Sequence, residues 1–313
     1  MILKNKYANA IIKLLIFIGL LWILYLQVFK NKNLEQTYQY FIQSFDGSLS
    51  LLIVVIVLMF LNWFIESVKW KLLIDKLHII SRLKALRGVF FGVTFSLFTP
   101  NRVGEFGGRI FAINTNRKEA IAATLMGSIA QFIINLSFGG LGLLLYLILY
   151  YKTDFYLAIA ISFSYLIMIF ALQFSYFNLN AVTRKFKKTQ KYIHIVELYN
   201  NKELIQLEIY SLLRYIIYVL QFIIMLYFFG FNIQFHQALV VVPAIFFLQT
   251  ILPLNVAILD FGFRGNVALY FLSPFAQNDI AILATTFSIW LINLIIPAII
   301  GGIAALQFKF FKE

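Results

Sequence analysis

Apolar runs long enough to cross a bilayer recur along the chain, separated by short polar and basic segments. Full-length runs occupy Ala10–Phe29, Leu49–Ile65, Ala120–Tyr151, Phe155–Phe174, Tyr210–Phe229 and Ile280–Leu306. A helix needs about 17 to 25 such residues to cross a hydrocarbon core about 30 Å thick. Two further stretches, Gly88–Thr99 and Ala238–Leu252, are shorter. They end at Pro100 and Pro253, and each is followed by a polar, glycine-containing segment. They predict half-helices that enter the membrane and turn back, a geometry tolerated only where protein or a water-filled cavity covers the backbone. Ala120–Tyr151 is read as one crossing: at about 1.5 Å per residue it approaches 50 Å, and tilt, a kink at Gly139-Gly140 or projecting ends absorb the excess. Ala10–Phe29 follows Lys4 and Lys6, but no small-residue cleavage site succeeds it, so a retained span is expected rather than a signal peptide. The pattern predicts an all-α polytopic membrane protein. It has six full transmembrane helices and two re-entrant half-helix elements in a single integral membrane domain over residues 1–313.

Composition agrees: 62% of the residues are hydrophobic and 12% charged, where soluble domains carry about 25% charged residues. With no cysteine, a disulfide scaffold is excluded as well as a soluble enzyme or a disordered chain. The 26 Lys and Arg against 13 Asp and Glu leave +13, but a nucleic-acid interface would need a soluble domain to carry it, and none is visible. The basic residues report orientation instead. With the N-terminus inside, 22 Lys and Arg fall on the inner side and four outside; moving Arg102, Arg109 and Arg264 into the membrane leaves 20 against three. Both termini are then cytoplasmic, in a multi-pass protein of the cell (inner) membrane. The connector over residues 178–208, with Arg184, Lys185, Lys187, Lys188 and Lys191, reads as a positive-inside anchor. Lys69–Arg87 reads as an amphipathic helix at the same surface.

A short internal repeat suggests function. Glu105-Phe106-Gly107-Gly108-Arg109 and Asp260-Phe261-Gly262-Phe263-Arg264 both spell acid-Phe-Gly-x-Arg, 155 residues apart. Each follows a short apolar stretch ending in proline and precedes a long span. On the map above the first element enters from the cytoplasm and the second from outside, which makes an inverted-topology repeat of about 49–151 and 210–306. Such repeats carry their binding sites where the broken elements meet.

The chemistry of these elements suits an anion. Arg102 and Arg109 are seven apart, two helical turns on one face, and a guanidinium donates in a planar fork that matches phosphate. Gly104, Gly107, Gly108 and Gly262 allow close backbone approach. Asn101 and Asn255 add neutral polar contacts. The ligand these features predict is an anionic lipid, a phospholipid or polyprenyl phosphate, bound by Arg102, Arg109, Arg264 and Asn101, with Glu105 and Asp260 as charge partners. The competing reading is structural: Glu105–Arg109 and Asp260–Arg264 are i,i+4 pairs with the acid first, the favourable order within one helix. Glu66 and Lys69, three apart, read as an interfacial ion pair. Gln131, Asn135, Gln221, Gln249 and Asn293 lie in apolar stretches and are expected to bond between helices. Gly139-Gly140-Leu141-Gly142 reads as helix packing. Catalysis finds little support: His78, His194 and His236 are scattered, and no nucleophile motif, metal-ligand spacing or nucleotide loop occurs. No enzyme activity, metal or cofactor is expected.

The residues also carry a resemblance. Glu66-Ser67-Val68-Lys69-Trp70-Lys71-Leu72-Leu73, followed by Gly92-Val93-Thr94-Phe95-Ser96-Leu97-Phe98-Thr99-Pro100-Asn101-Arg102-Val103-Gly104-Glu105, resembles the lysylphosphatidylglycerol synthetase transmembrane region, or flippase-like family. The resemblance covers essentially the whole chain, with Pro253 and Gly262-Phe263-Arg264 similar to the family's second motif. Two positions depart from it: Gly265 stands where the family usually has Glu, and Ala130-Gln131 stands where an acid and an arginine often occur. The cytosolic aminoacyltransferase domain of the lysyl-lipid synthetases is not expected here. The resemblance implies lipid translocation or headgroup handling without lysyl transfer. The expected partners are an anionic membrane lipid and, in the alternative of a non-transporting subunit, a separate membrane or cytosolic transferase.

Overall fold

The computed structural model describes residues 34–97, 99, 103–111, 113, 116–151, 153–185, 193–252, 257–275 and 279–305. Among them every regular element is helical. In chain order they are α1 (Leu34–Ile74), α2 (Arg82–Ser96), α3 (Gly104–Phe111), α4 (Arg117–Tyr150), α5 (Phe155–Phe177), α6 (Leu179–Lys185), α7 (Ile193–Val196), α8 (Asn201–Phe228), α9 (Phe235–Ile251), α10 (Ala257–Leu272), α11 (Asp279–Trp290) and α12 (Ile296–Ala305). A five-residue π-helical segment, Leu291–Ile295, joins α11 to α12. Five stretches are long and apolar enough to cross a membrane: Leu49–Ile74, Arg117–Tyr150, Phe155–Phe177, Asn201–Phe228 and Asp279–Ala304. They match five of the six predicted spans; the sixth, Ala10–Phe29, lies outside the described residues.

The expected single crossing at Ala120–Tyr151 is one continuous helix of 34 residues, capped by Asn116. Several helices run past the apolar runs that announced them. α1 continues through Asn62, Glu66 and Lys69 to Ile74, and α8 begins at Asn201, where Asn200 and Glu203 form a capping box. Hydropathy stops a span at its first charge, whereas a helix stops where its backbone hydrogen bonds do. The amphipathic surface helix expected over Lys69–Arg87 is therefore corrected. Lys69 and Trp70 are buried inside α1, Trp70 Nε1 donates to Thr124 Oγ1 at 3.1 Å, and the chain turns after Ile74. The Ile80 N–H donates to Asp75 Oδ1 at 3.0 Å, and Ser81 caps α2.

The shorter helices form the interior around the expected motifs. α2 and α3 pack as an antiparallel hairpin, their backbones drawn together at glycines: a Cβ on Gly108 would lie 2.7 Å from Gly92 Cα and 2.8 Å from the Phe91 carbonyl. α9 lies along α4 in the same manner, since a Cβ on Gly142 would lie 2.5 Å from Pro243 Cβ and 2.9 Å from the Val240 carbonyl. The glycine cluster in the long span is thus a packing seam. α12 closes on α2, where Thr94 Oγ1 donates to the Ala298 carbonyl at 2.7 Å. Gln221 Nε2 in α8 donates to the Val55 carbonyl in α1 at 2.9 Å, and Gln131 Nε2 in α4 to the Ser211 carbonyl in α8 at 3.1 Å, both interhelical as expected. Asn293 instead bonds within its own helix, to the Ile289 carbonyl at 3.2 Å. α5 leaves Phe163, Leu166 and Phe170 exposed on the outside of the bundle, a surface suited to hydrocarbon.

Candidate functional site

The bundle surrounds a cavity of about 520 Å³. Glu105 of the first motif and Arg264 of the second both line it, so residues 159 positions apart in sequence share one chamber. The π-helical segment sends Asn293 and Leu294 into its wall. Pro297 has no N–H to bond the carbonyl four residues back, and the helix widens there.

The electrostatic centre is Glu66. Its Oε1 pairs with Arg109 Nη1 at 2.8 Å, and its Oε2 faces Lys69 Nζ at 2.9 Å and also pairs with Arg214 Nη1. Arg109 pairs in addition with Glu105 one turn earlier on α3. The side chains of Glu66, Lys69 and Arg109 are 6%, 2% and 5% exposed, so these are desolvated charges whose loss would leave a partner bare. Arg214 is held on every side: Nε donates to Asn62 Oδ1 at 2.9 Å, Nη1 to Gln131 Oε1 at 3.1 Å, and its guanidinium carbon lies 5.5 Å from the centre of the Trp63 ring. The five charges of this cluster leave +1, because Lys69, Arg109 and Arg214 outnumber Glu66 and Glu105. Arg264 Nη1 donates to Gln249 Oε1 at 3.2 Å.

The sequence-derived site residues are distributed as follows. Glu105 and Arg109 form the expected i,i+4 pair, and Glu66 joins it from α1. Gly104 and Gly108 face the α2 backbone, whereas a Cβ on Gly107 or Gly262 would meet nothing within 4 Å. Asn101, Arg102 and Asn255 lie outside the described residues, as does the side chain of Asp260, whose backbone belongs to α10. Three residues at the centre differ from what the sequence predicts, which places Lys69 and Arg214 with the cytoplasmic basic segments and Glu66 in an interfacial pair. The Glu66–Lys69 pair exists, but it is buried and shares its carboxylate with two arginines from other helices. Arg214 did carry a signal: it stands alone between Leu213 and Tyr215 inside an apolar run, where a charge points to function by default. Taking Lys69 and Arg214 out of the inner count lowers it from 20 to 18, and the inward bias is unchanged in sign.

No curated protein and no solved structure matches the chain. Residues 10–301 do match the model of the lysylphosphatidylglycerol synthase TM region, which agrees with the resemblance carried by the motifs, and the chain belongs to that family.

Proposed function

We propose that this integral membrane protein binds an anionic lipid, a phospholipid or polyprenyl-phosphate-linked lipid, and moves its headgroup between leaflets. The observation that carries this reading is the cavity shared by Glu105 and Arg264, with Lys69 and Arg214 also in its wall. A net positive, protein-lined chamber inside an apolar bundle is where a phosphate can reside away from bulk water. Family membership supports lipid as the class of substrate. In this reading Arg264 faces the phosphate, Arg102 and Asn101 add contacts from the first motif, and Glu66 and Glu105 hold Arg109 in place. Asp260 keeps its role as charge partner of Arg264.

The test is transfer of fluorescent anionic lipids across liposomes containing the purified chain. Arg102→Ala is expected to slow transfer at least about tenfold, the cost of one charge-assisted hydrogen bond to phosphate. A variant as fast as wild type removes Arg102 from the site. Transfer seen only when a transferase is co-reconstituted would favour the lipid-presenting subunit.

We further propose that the two motif elements enter from opposite sides, with both termini cytoplasmic. The chain has no cysteine of its own, so single cysteines report without background. One substituted at Thr115 is expected to label from the inside and one at Gln277 from the outside. Labelling of both from one side would exclude the inverted arrangement.

A further inference from the structure

The cavity wall is richer in neutral donors than a phosphate requires. Five carboxamides line it: Asn62, Gln131, Asn135, Gln249 and Asn293. Asn62 and Gln131 are committed to Arg214. Asn135 and Gln249 differ, because only their oxygens are engaged. Asn135 Oδ1 accepts from Gln131 Nε2 at 3.1 Å, and Gln249 Oε1 accepts from Arg264 Nη1 at 3.2 Å. Each amide is thereby oriented, and its NH2 group donates to no described residue. Trp63 and Tyr215 also line the wall, but Trp63 Nε1 and the Tyr215 hydroxyl are themselves buried, without a hydrogen-bond partner among the described residues, behind the surface a ligand would touch. Donors left unpaired inside a protein-lined site are costly, and a wall that keeps two oriented NH2 groups is set to receive acceptors. The wall also presents the rings of Trp63, Tyr215, Tyr218 and Phe246, flat apolar faces beside polar groups.

We propose that the lipid headgroup is a phosphate-linked polyol, a sugar or inositol ring. Its phosphate lies toward Arg264, and its hydroxyl oxygens accept from Asn135 and Gln249, while the rings of Trp63 and Tyr215 supply apolar faces. The inference rests on the anionic-lipid reading and narrows it. Bare phosphatidate presents no hydroxyls to these donors. An aminoacyl or choline headgroup would bring positive charge to a wall in which Lys69, Arg214 and Arg264 already outnumber Glu66 and Glu105. A ring with hydroxyls around its rim and C–H groups on its faces matches both the amides and the aromatic planes. A volume of about 520 Å³ accommodates such a headgroup, at the lower end of the range of about 300–1,000 Å³ for small-molecule sites.

The test compares phosphatidylinositol with phosphatidic acid of the same acyl chains, added at equal concentration to the full chain in detergent and read by native mass spectrometry. Free inositol 1-phosphate is a third arm. Phosphatidylinositol is expected to bind at least about tenfold more tightly than phosphatidic acid, since sites built to bond hydroxyls reject analogues that lack them. Asn135→Leu combined with Gln249→Met removes both NH2 groups at similar side-chain volume, and it should abolish the preference while phosphatidic acid still binds. Equal binding of the two lipids, or a preference that survives both substitutions, overturns the polyol assignment and leaves the anionic-lipid reading intact. If neither lipid binds, that broader reading fails too. Free inositol 1-phosphate binding as tightly as the lipid would overturn a lipid ligand in favour of a soluble sugar phosphate.

Discussion

Glu66→Ala will cost the protein a large share of its stability. Three cations, Lys69, Arg109 and Arg214, converge on that one buried carboxylate, and its removal raises the cluster from +1 to +2 with only Glu105 left to balance it. Removing one partner from a buried ion pair typically costs about 3–5 kcal/mol, a large share of the 5–15 kcal/mol that holds a domain folded. Thermal melting followed by size-exclusion chromatography in detergent measures the loss, and Glu66→Ala is expected to melt many degrees below wild type or to aggregate on extraction. Glu66→Gln combined with Lys69→Met should recover part of the deficit, because it removes a charge of each sign and keeps the side-chain volumes close. A melting temperature for Glu66→Ala within a degree or two of wild type would show that the cluster is not organised around this carboxylate.

Arg264→Ala will lower binding of an anionic lipid by about tenfold to a hundredfold while the fold survives. Arg264 is partly exposed to the cavity and bonds Gln249. A hydrogen bond from a charged donor contributes about 1.5–3 kcal/mol, and each 1.4 kcal/mol is a factor of ten. Arg264→Lys should restore only part of the affinity, since an ammonium keeps the charge and loses the planar fork. Binding titrations at two ionic strengths check both points: the arginine-dependent part of the affinity should shrink as salt rises. Wild-type affinity in Arg264→Ala would remove the second motif from the site.

Periodicity and composition were sufficient for the class of fold, because a bilayer imposes its requirement locally. Each crossing must be apolar over its own length and must satisfy its own backbone, and both properties can be read within a window of about 20 residues. The short helices α2 and α9 were readable for the same reason, as was the Gly139–Gly142 seam, where residues without side chains permit close packing. The Glu105–Arg109 pair could be seen because its partners are one turn apart on a single helix.

What the sequence left undetermined were relations between helices. Glu66 carries no local sign that Arg109 and Arg214 will reach it, since those residues are 43 and 148 positions away. Lys69 lies just past the end of an apolar run, where a lysine ordinarily marks the cytoplasmic surface, and local pattern assigns it to water; Arg214, alone inside such a run, signals function without naming its partners. Only packing of α1 against α4 and α8 turns them inward. The same holds for Asn135 and Gln249: as single residues they are ordinary interhelical side chains, and the tertiary structure brings both into the wall of one cavity. The sequence by itself determined that this chain is a helical membrane protein with two glycine-arginine elements, because burial in lipid is a property of segments. The tertiary structure alone decided which charges neutralise one another and which side chains share one cavity, because those depend on distances between residues that the chain keeps far apart.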